Sequence, residues 1–299
     1  MFTDLNMTLT NILAEAEKEK HSGKYLLALE KYKEAQHFVQ GQALIEVLFA
    51  IADLYSLMDN YHDAMRTYSK ILDLDSNLSG AWYGLAYSNE LLGGDLDQSL
   101  DSYERAIDLD KSYKEAYYYA ATIYADRKDF KKAKTYFEKV VDLDPLDFIA
   151  YNDLGSLYEE EKDYAKAKTY IEKSLSINQN YYLSHFNLGV VYKALALYDK
   201  ALEEYKLASQ LSDDIYIYLN MSAIYIETKE YTKAVEILSQ GIEKNPHHIL
   251  YYNRACSYRK LGQIDLALKD YRTAKAIDDV VEKWAQKDPD LKDIIKEQK

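Results

Sequence analysis

Small, aromatic and polar residues recur along this chain in blocks of about 34 residues, with the same residue type at the same place in each block. Eight blocks begin at Leu9, Ile45, Ser79, Lys114, Phe148, Tyr182, Ile215 and His248. If each first residue is slot 1 and Gly94 is counted as an insertion in the third block, slots 8 and 20 hold Ala, Gly or Ser in every block, and slots 11, 17 and 24 are mostly Tyr. This regular recurrence predicts a stack of repeats in which each block is one structural unit.

Within each block the apolar residues fall on two helical stripes. Slots 4, 7, 8 and 11 form one stripe, and slots 17, 20, 24 and 27 form the second. A turn between them is indicated by pairs such as Ser22-Gly23. Pro145 and Pro246 fall at slot 32, just beyond the second helix, where a proline stops a helix. Each block therefore predicts two antiparallel helices, and the small residues at slots 8 and 20 let them approach closely.

The fifth block shows the residues that identify the pattern. It has Tyr151-x-x-Leu154-Gly155-x-x-Tyr158, followed by Tyr164, Ala167, Ile171 and Ile177. This arrangement resembles the tetratricopeptide repeat (TPR) family, and the resemblance covers nearly all of the chain. It implies an all-α fold, a right-handed superhelical solenoid of helix-turn-helix repeats, that works as a protein–protein interaction module.

The two ends are expected to differ from the repeats. Residues 1–8 are a predicted lead-in, the eight repeats occupy residues 9–281, and residues 282–299 are predicted to cap the stack, whose last apolar face needs a cover. Helices from about 279 to 287 and from about 289 to 297 are expected there, the second of them capped by Asp288. The covering side chains would be Val281, Trp284, Leu291 and Ile295. The total is about 18 helices and no sheet.

Acidic residues are in excess and unevenly distributed. The chain has 50 Asp and Glu against 37 Lys and Arg, a net charge of −13, which argues against nucleic acid as a partner because phosphate binding needs clustered Lys and Arg. From Asp73 to Asp110 there are nine acidic residues and one basic residue, Arg105. This stretch is either a set of solvated loops and outer helices or a docking surface for a basic partner.

Other classes of protein are disfavoured by what the sequence lacks. It has no phosphate-binding Gly-rich loop, no nucleophile elbow and no His-Glu-x-x-His helix. Cys256 is the only cysteine, which excludes a disulfide framework within the chain. No stretch approaches the ~18 apolar residues of a membrane span, and the first residues do not read as a secretion signal. We expect a cytoplasmic protein that is not an enzyme, holds no cofactor or metal and has no membrane partner.

A further set of slots faces away from the core stripe of each first helix. At about 100° per residue, slots 2, 6, 9 and 13 lie opposite slots 4, 7, 8 and 11, and in the TPR family they line the concave groove. Slot 6 is asparagine in the last three repeats: Asn187, Asn220 and Asn253. At this slot alone the chain is similar to the asparagine ladder in the TPR domain of O-GlcNAc transferase.

The slots beside these asparagines are apolar, which is unusual for a helix face turned away from its own core. They include Tyr216, Val190 and Ile249. Regularly placed amides with apolar neighbours would suit the backbone of an extended partner segment, with the apolar residues setting side-chain preference. Alternatively, neighbouring first helices pack closely enough to bury slots 2 and 9, and the asparagines bond to one another or to backbone.

A second TPR binding mode is the carboxylate clamp of the Hsp90/Hsp70-binding co-chaperones, which needs Lys at slot 5 and Asn at slot 9. The slot 5 residues near the asparagines are Asn152, Phe186, Leu219 and Tyr252, and slot 9 lacks Asn, so a clamp is not expected. The resulting hypothesis is a non-catalytic adaptor that binds a protein or peptide partner in its groove. The alternative is a structural subunit or self-associating scaffold of a larger assembly.

Overall fold

The structure, a computed structural model, describes the backbone of residues 2–296 and the side chains of residues 8–294. Within that range there are 18 helices and no β-strand, as predicted. The chain divides into two compact units, Met1–Pro145 and Leu146–Lys299, which we call the N-terminal and C-terminal units. Each unit is built from consecutive antiparallel helix pairs.

The N-terminal unit contains four helix pairs. Its helices are α1 (Phe2–His21), α2 (Tyr25–Gln36), α3 (Gln42–Leu57), α4 (Tyr61–Leu74), α5 (Ser79–Leu91), α6 (Leu96–Leu109), α7 (Lys114–Asp126) and α8 (Phe130–Leu143). The first helix begins at Phe2 and therefore includes residues 2–8 of the segment that the sequence suggested as a lead-in.

The C-terminal unit contains four more pairs and two short helices at its end. Its helices are α9 (Phe148–Glu160), α10 (Tyr164–Ile177), α11 (Tyr182–Ala194), α12 (Tyr198–Leu211), α13 (Ile215–Glu227), α14 (Tyr231–Lys244), α15 (His248–Lys260), α16 (Ile264–Ile277), α17 (Val280–Ala285) and α18 (Lys292–Lys296).

The short end helices pack on the last repeat, with one change from expectation. Val281 and Leu291 are fully buried, whereas Trp284 remains 37% exposed and contacts the ring of Tyr252 edge-on. Asp288 caps a turn before α18, because its Oδ1 accepts a hydrogen bond of 2.8 Å from the backbone N–H of Asp290. The side chain of Ile295 lies outside the described residues.

Small residues at slots 8 and 20 let the two helices of each pair approach closely. Every Ala and Ser at these slots is at most 1% exposed. Gly155 and Gly189 show why two slots carry no side chain: a Cβ would lie 2.4 Å from Cγ1 of Ile171 in one case and 2.6 Å from the ring of Tyr205 in the other. The close approach is therefore set by residue size rather than by any polar contact.

The turn between the helices of a pair has the same backbone conformation in all eight repeats. Slot 15 has a positive φ each time, at Gly23, Asp59, Gly93, Lys128, Lys162, Ala196, Lys229 and Gly262. Glycine adopts this conformation without steric cost, yet only three of the eight positions use it. In several repeats the next helix is then capped by an acidic or amide side chain: Asn60, Asp95, Asp129 and Asp163.

Candidate functional site

The candidate site is the first-helix face of the C-terminal unit, which we define as slots 2, 6, 9 and 13 of α9, α11, α13 and α15. Successive first helices contact each other directly in this unit, from α9 to α11, α11 to α13 and α13 to α15. The face is therefore continuous across the four repeats.

Two of the three predicted asparagines have the same arrangement. The Nδ2 of Asn220 donates a hydrogen bond of 2.9 Å to the backbone carbonyl of Tyr216. In the next repeat, Nδ2 of Asn253 donates at 2.9 Å to the carbonyl of Ile249. Both side chains are half-buried. A carboxamide offers two N–H donors and a carbonyl oxygen, so each keeps one donor and acceptor capacity beyond the bond within its own helix.

Asn187 differs from the other two. Its Nδ2 donates at 3.0 Å to Oδ1 of Asn152, a residue of α9 that is only 2% exposed. The same oxygen accepts a hydrogen bond of 3.1 Å from the Ser184 hydroxyl, which lies 2.8 Å from Ser174. Asn187 is thus the outer member of a buried polar network that joins α9, α10 and α11, and half of its amide group is committed to holding those helices together.

The apolar residues of the face are partly accessible. Tyr216 is 55% exposed, while Val190 and Ile249 are half-buried, and Val190 also packs against the core of the unit. Contact between first helices therefore covers slots 2 and 9 in part only. Each of two apolar residues is linked to an asparagine through its backbone: the carbonyl of Tyr216 accepts from Asn220, and the carbonyl of Ile249 accepts from Asn253.

Lys193 is a member of the site that sequence reasoning missed. Its Nζ donates at 3.3 Å to Oδ1 of Asn220, so the ammonium of α11 reaches the amide of α13. Lys193 occupies slot 12, which lies about 60° around the helix from slot 9 and was left out of the face for that reason. Lys193 could have been found from the length of its side chain, because a lysine side chain is long enough to reach a neighbouring helix.

A buried ion pair positions the last helix of the face. Arg254 on α15 binds Asp270 on α16 through two hydrogen bonds, Nε–Oδ2 at 2.6 Å and Nη2–Oδ1 at 2.9 Å. Its Nη1 donates at 2.8 Å to the hydroxyl of Ser239 on α14. Asp270 is 4% exposed. This arginine faces the neighbouring helices and ties α15, which carries Asn253, to them.

His185 lies near the start of α11, and each of its two ring nitrogens is within hydrogen-bond distance of an oxygen atom. Its Nδ1 is 2.7 Å from Oε2 of Glu204, and its Nε2 is 3.0 Å from the carbonyl of Gln179. The hydrogen bond with Glu204 raises the pKa of His185 above its usual value. Among the described residues, no group of three or more His, Cys, Asp or Glu side chains is placed to hold a metal ion.

Comparison with known families matches the repeats directly. A family model described as tetratricopeptide repeat matches residues 45–78, 149–181, 182–214, 215–248 and 249–280, and a second one with the same description matches residues 114–147. Together these ranges cover well over half of the chain. The chain belongs to the tetratricopeptide repeat family. Repeats of this family stack into extended surfaces that bind other proteins. The chain therefore belongs to the class of protein-interaction adaptors and scaffolds.

Individual relatives of this TPR chain match it over parts of their length. The Hsp70-Hsp90 organising protein of Plasmodium falciparum (isolate 3D7) is 37% identical over 84 residues, which are 25% of this chain and 15% of that protein. The chain therefore matches only a small part of that relative.

Two solved structures share the fold. YrrB, described as a TPR protein with an unusual peptide-binding site, has a TM-score of 0.50 and 22% identity, over 61% of this chain and 94% of its own. The APC/C hetero-tetramer Cut9-Hcn1 has a TM-score of 0.61 and 15% identity, over 96% of this chain and 55% of its own. No helix in the described part of the TPR chain is long and apolar enough to cross a membrane.

Proposed function

We propose that the protein is a non-catalytic adaptor whose first-helix face in the C-terminal unit binds an extended segment of a partner protein. Asn220 and Asn253 present the same amide geometry one repeat apart, and Tyr216, Val190 and Ile249 supply apolar contacts beside them. An extended peptide offers backbone groups at regular spacing whatever its side chains, which is the pattern that repeated amides match.

The observation that carries the proposal is the repeated geometry of the two asparagines. Each amide is held by a bond of the same length to the carbonyl four residues earlier. An amide fixed in this way loses little side-chain freedom when a partner binds, so less free energy is spent on ordering it. Asn187, which lies one repeat before Asn220, contributes less to binding because its amide donates to Asn152.

An alternative function is a structural subunit of a larger assembly. It is favoured by large apolar side chains that remain exposed on second helices of the C-terminal unit: Leu207, Leu211, Ile264, Leu266 and Ile277. These lie on α12 and α16, away from the first-helix face. A partner bound there would leave Asn220 and Asn253 without a role.

The two functions separate in one experiment. Peptides that bind the protein are first selected from a displayed library of unstructured segments, and proteins are captured from the native lysate in parallel. Binding is then measured with the variant Asn220→Ala/Asn253→Ala and with the matched variant Leu207→Ser/Leu211→Ser. The adaptor proposal expects the asparagine variant to lose binding while its melting temperature stays within a few degrees of wild type. Loss confined to the leucine variant would reject it.

A further inference from the structure

The N-terminal unit has a first-helix face of a different chemistry. Slots 2, 6, 9 and 13 of α1, α3, α5 and α7 contain no Lys or Arg. They contain five carboxylates: Glu17, Glu46, Asp53, Glu115 and Asp126. The corresponding slots of the C-terminal unit have three carboxylates and Lys260. A helix face with this charge repels acidic segments and attracts basic ones.

Most of the acidic run between residues 73 and 110 is engaged within the chain and does not contribute to this face. Three carboxylates accept backbone N–H groups two residues further on: Asp75, Asp95 and Asp110. Asp97 pairs with Arg127 at 2.7 Å, and Asp108 pairs with Lys111 at 2.8 Å. Glu90, which accepts a hydrogen bond from the Tyr103 hydroxyl, borders the first-helix face.

Glu90 and Asp126 lie on neighbouring first helices, α5 and α7, and both are acidic. In the described part of the chain neither forms an ion pair, and the one hydrogen bond to Glu90 comes from the hydroxyl of Tyr103, at 3.0 Å. Burial raises the pKa of Glu90, and the nearby charge of Asp126 raises it further. Arg127 follows Asp126 directly but is held by Asp97. The charge of Asp126 is therefore felt at Glu90, and among the described residues no ion pair offsets either carboxylate.

Aromatic rings lie next to these carboxylates. The rings of Tyr87 on α5 and Tyr119 on α7 are 5.2 Å apart at an angle of 60°. Both side chains are half-buried, and Tyr83 packs against each of them at 5.9 and 6.1 Å. The faces of tyrosine rings attract cations, so rings and carboxylates here favour the same kind of group.

A cavity adjoins this cluster and gives room for the rest of a ligand. Its volume is about 450 Å³, and it is lined by Lys20, Asp53, Ser56, Leu57, Tyr61 and Tyr87. Lys20 and Asp53 balance each other in charge, so the cavity itself does not attract a second cation. It suits an uncharged residue that follows a basic one along a bound segment.

We propose that Tyr87, Glu90, Tyr119 and Asp126 form a binding site for a lysine or arginine side chain of a basic, extended partner segment. Carboxylates without a counter-ion supply the charge, and the two rings supply cation–π contact. This site lies in the N-terminal unit and shares no residue with the asparagine face. It would add a charge-selective contact to an adaptor that otherwise recognises backbone.

The test uses the full chain and a fluorescein-labelled peptide of alternating arginine and glycine, with binding followed by anisotropy at low ionic strength. The control peptide carries citrulline in place of arginine, which keeps the shape and removes the charge. We expect Glu90→Gln/Asp126→Asn to weaken binding of the arginine peptide about tenfold, the effect of losing one charge-assisted hydrogen bond. Glu138→Gln/Asp142→Asn removes the same charge from exposed positions of α8 in the same unit and should change affinity less than about twofold.

The aromatic part of the site is tested separately. Tyr87→Phe keeps the ring and should keep the affinity, while Tyr87→Leu should lower it about threefold, as expected for one exposed cation–π contact. The variant Asn220→Ala/Asn253→Ala is measured with both peptides. Because the asparagines are proposed to bind backbone, any loss should be equal for the arginine and citrulline peptides, whereas the loss caused by Glu90→Gln/Asp126→Asn should be confined to the arginine peptide.

Three results would overturn the proposal. One is equal weakening by the two charge variants, which would indicate non-specific attraction. Another is equal binding of the citrulline peptide, which would indicate an uncharged occupant. The third is absence of peptide binding together with self-association that the Glu90/Asp126 variant abolishes, which would assign the surface to a second copy of the chain.

Discussion

The two units share one core and differ in the residues they present. Slots 8 and 20 are small and buried in both, and slot 15 has a positive φ in both. The first-helix face of the N-terminal unit combines carboxylates with tyrosines, whereas that of the C-terminal unit combines amides with apolar side chains. The fold constrains the core slots through packing and leaves the face slots free. We therefore expect any difference in binding between the two units to come from the face slots, which packing constrains less than the core slots.

The internal support of the two faces differs as well. In the C-terminal unit a buried arginine–aspartate pair joins α14, α15 and α16. In the N-terminal unit the helices α5, α6 and α7 meet around tyrosines, with Tyr103 fully buried and its ring stacked on that of Tyr119 at 5.8 Å. The first-helix face of the C-terminal unit is supported by a charged contact, and that of the N-terminal unit by aromatic packing. Substitutions at the two kinds of contact should therefore change stability by different amounts.

The largest expected effect is on the buried ion pair. Asp270→Ala would leave the Arg254 guanidinium half-buried without its carboxylate, which costs about 3–5 kcal/mol of unfolding free energy. Urea unfolding followed by circular dichroism measures it. Asp265→Ala, at an exposed position of α16, is the matched control and should cost less than about 0.5 kcal/mol. A loss for Asp270→Ala no larger than that of the control would show that the pair does not hold the face.

A smaller effect should separate Asn187 from the other asparagines. Asn187→Ala removes a hydrogen bond to the buried Asn152 and should lower the unfolding free energy by about 1 kcal/mol. Asn253→Ala removes only a bond within its own helix and places a better helix former on α15, so its stability should change by a few tenths of a kcal/mol. Thermal and urea unfolding of the two variants provide the measurement. Equal losses would mean that both side chains are structural, which would weaken the binding proposal.

The smallest effect is a pH dependence confined to the C-terminal unit. Because Glu204 raises the pKa of His185 in the folded state, this contact stabilises the fold fully below the unfolded pKa of about 6.5 and loses its effect as pH rises through the folded pKa. The stability difference between wild type and His185→Gln should therefore be greatest near pH 5.5 and shrink by about pH 8.5. A difference independent of pH would contradict the raised pKa.

Sequence alone was sufficient for the fold class, because the signal repeats eight times and each copy supports the others. It could not separate Asn187 from Asn220 and Asn253. All three occupy slot 6, and the difference depends on Asn152, which lies 35 positions earlier and on another helix. Lys193 was missed for a related reason, since its slot is outside the face and only its length brings it to Asn220. Periodicity identifies which slots face a surface, while the contacts of long polar side chains depend on particular neighbours.

The acidic run illustrates the same limit. Counting charges between residues 73 and 110 left open either solvated loops and outer helices or a docking surface. In the structure several of these carboxylates have separate local roles, as turn caps and as partners of Lys111 and Arg127. The pKa of Glu90 is raised by burial and also by the charge of Asp126, a residue outside the run. The proposal of a basic partner therefore concerns the first-helix face of the N-terminal unit. Of the acidic residues between 73 and 110, only Glu90 takes part in it.

The central claim is that Asn220 and Asn253 bind the backbone of an extended segment, and a double-mutant cycle tests it most directly. Titration calorimetry would compare wild type and Asn253→Ala, each with a selected peptide and with analogues in which one backbone amide at a time becomes an ester. The account predicts one position where the ester lowers affinity for wild type by about 1 kcal/mol more than for the variant, the worth of one hydrogen bond. If every ester weakens wild type and variant equally, the asparagine does not contact the backbone and the claim is wrong.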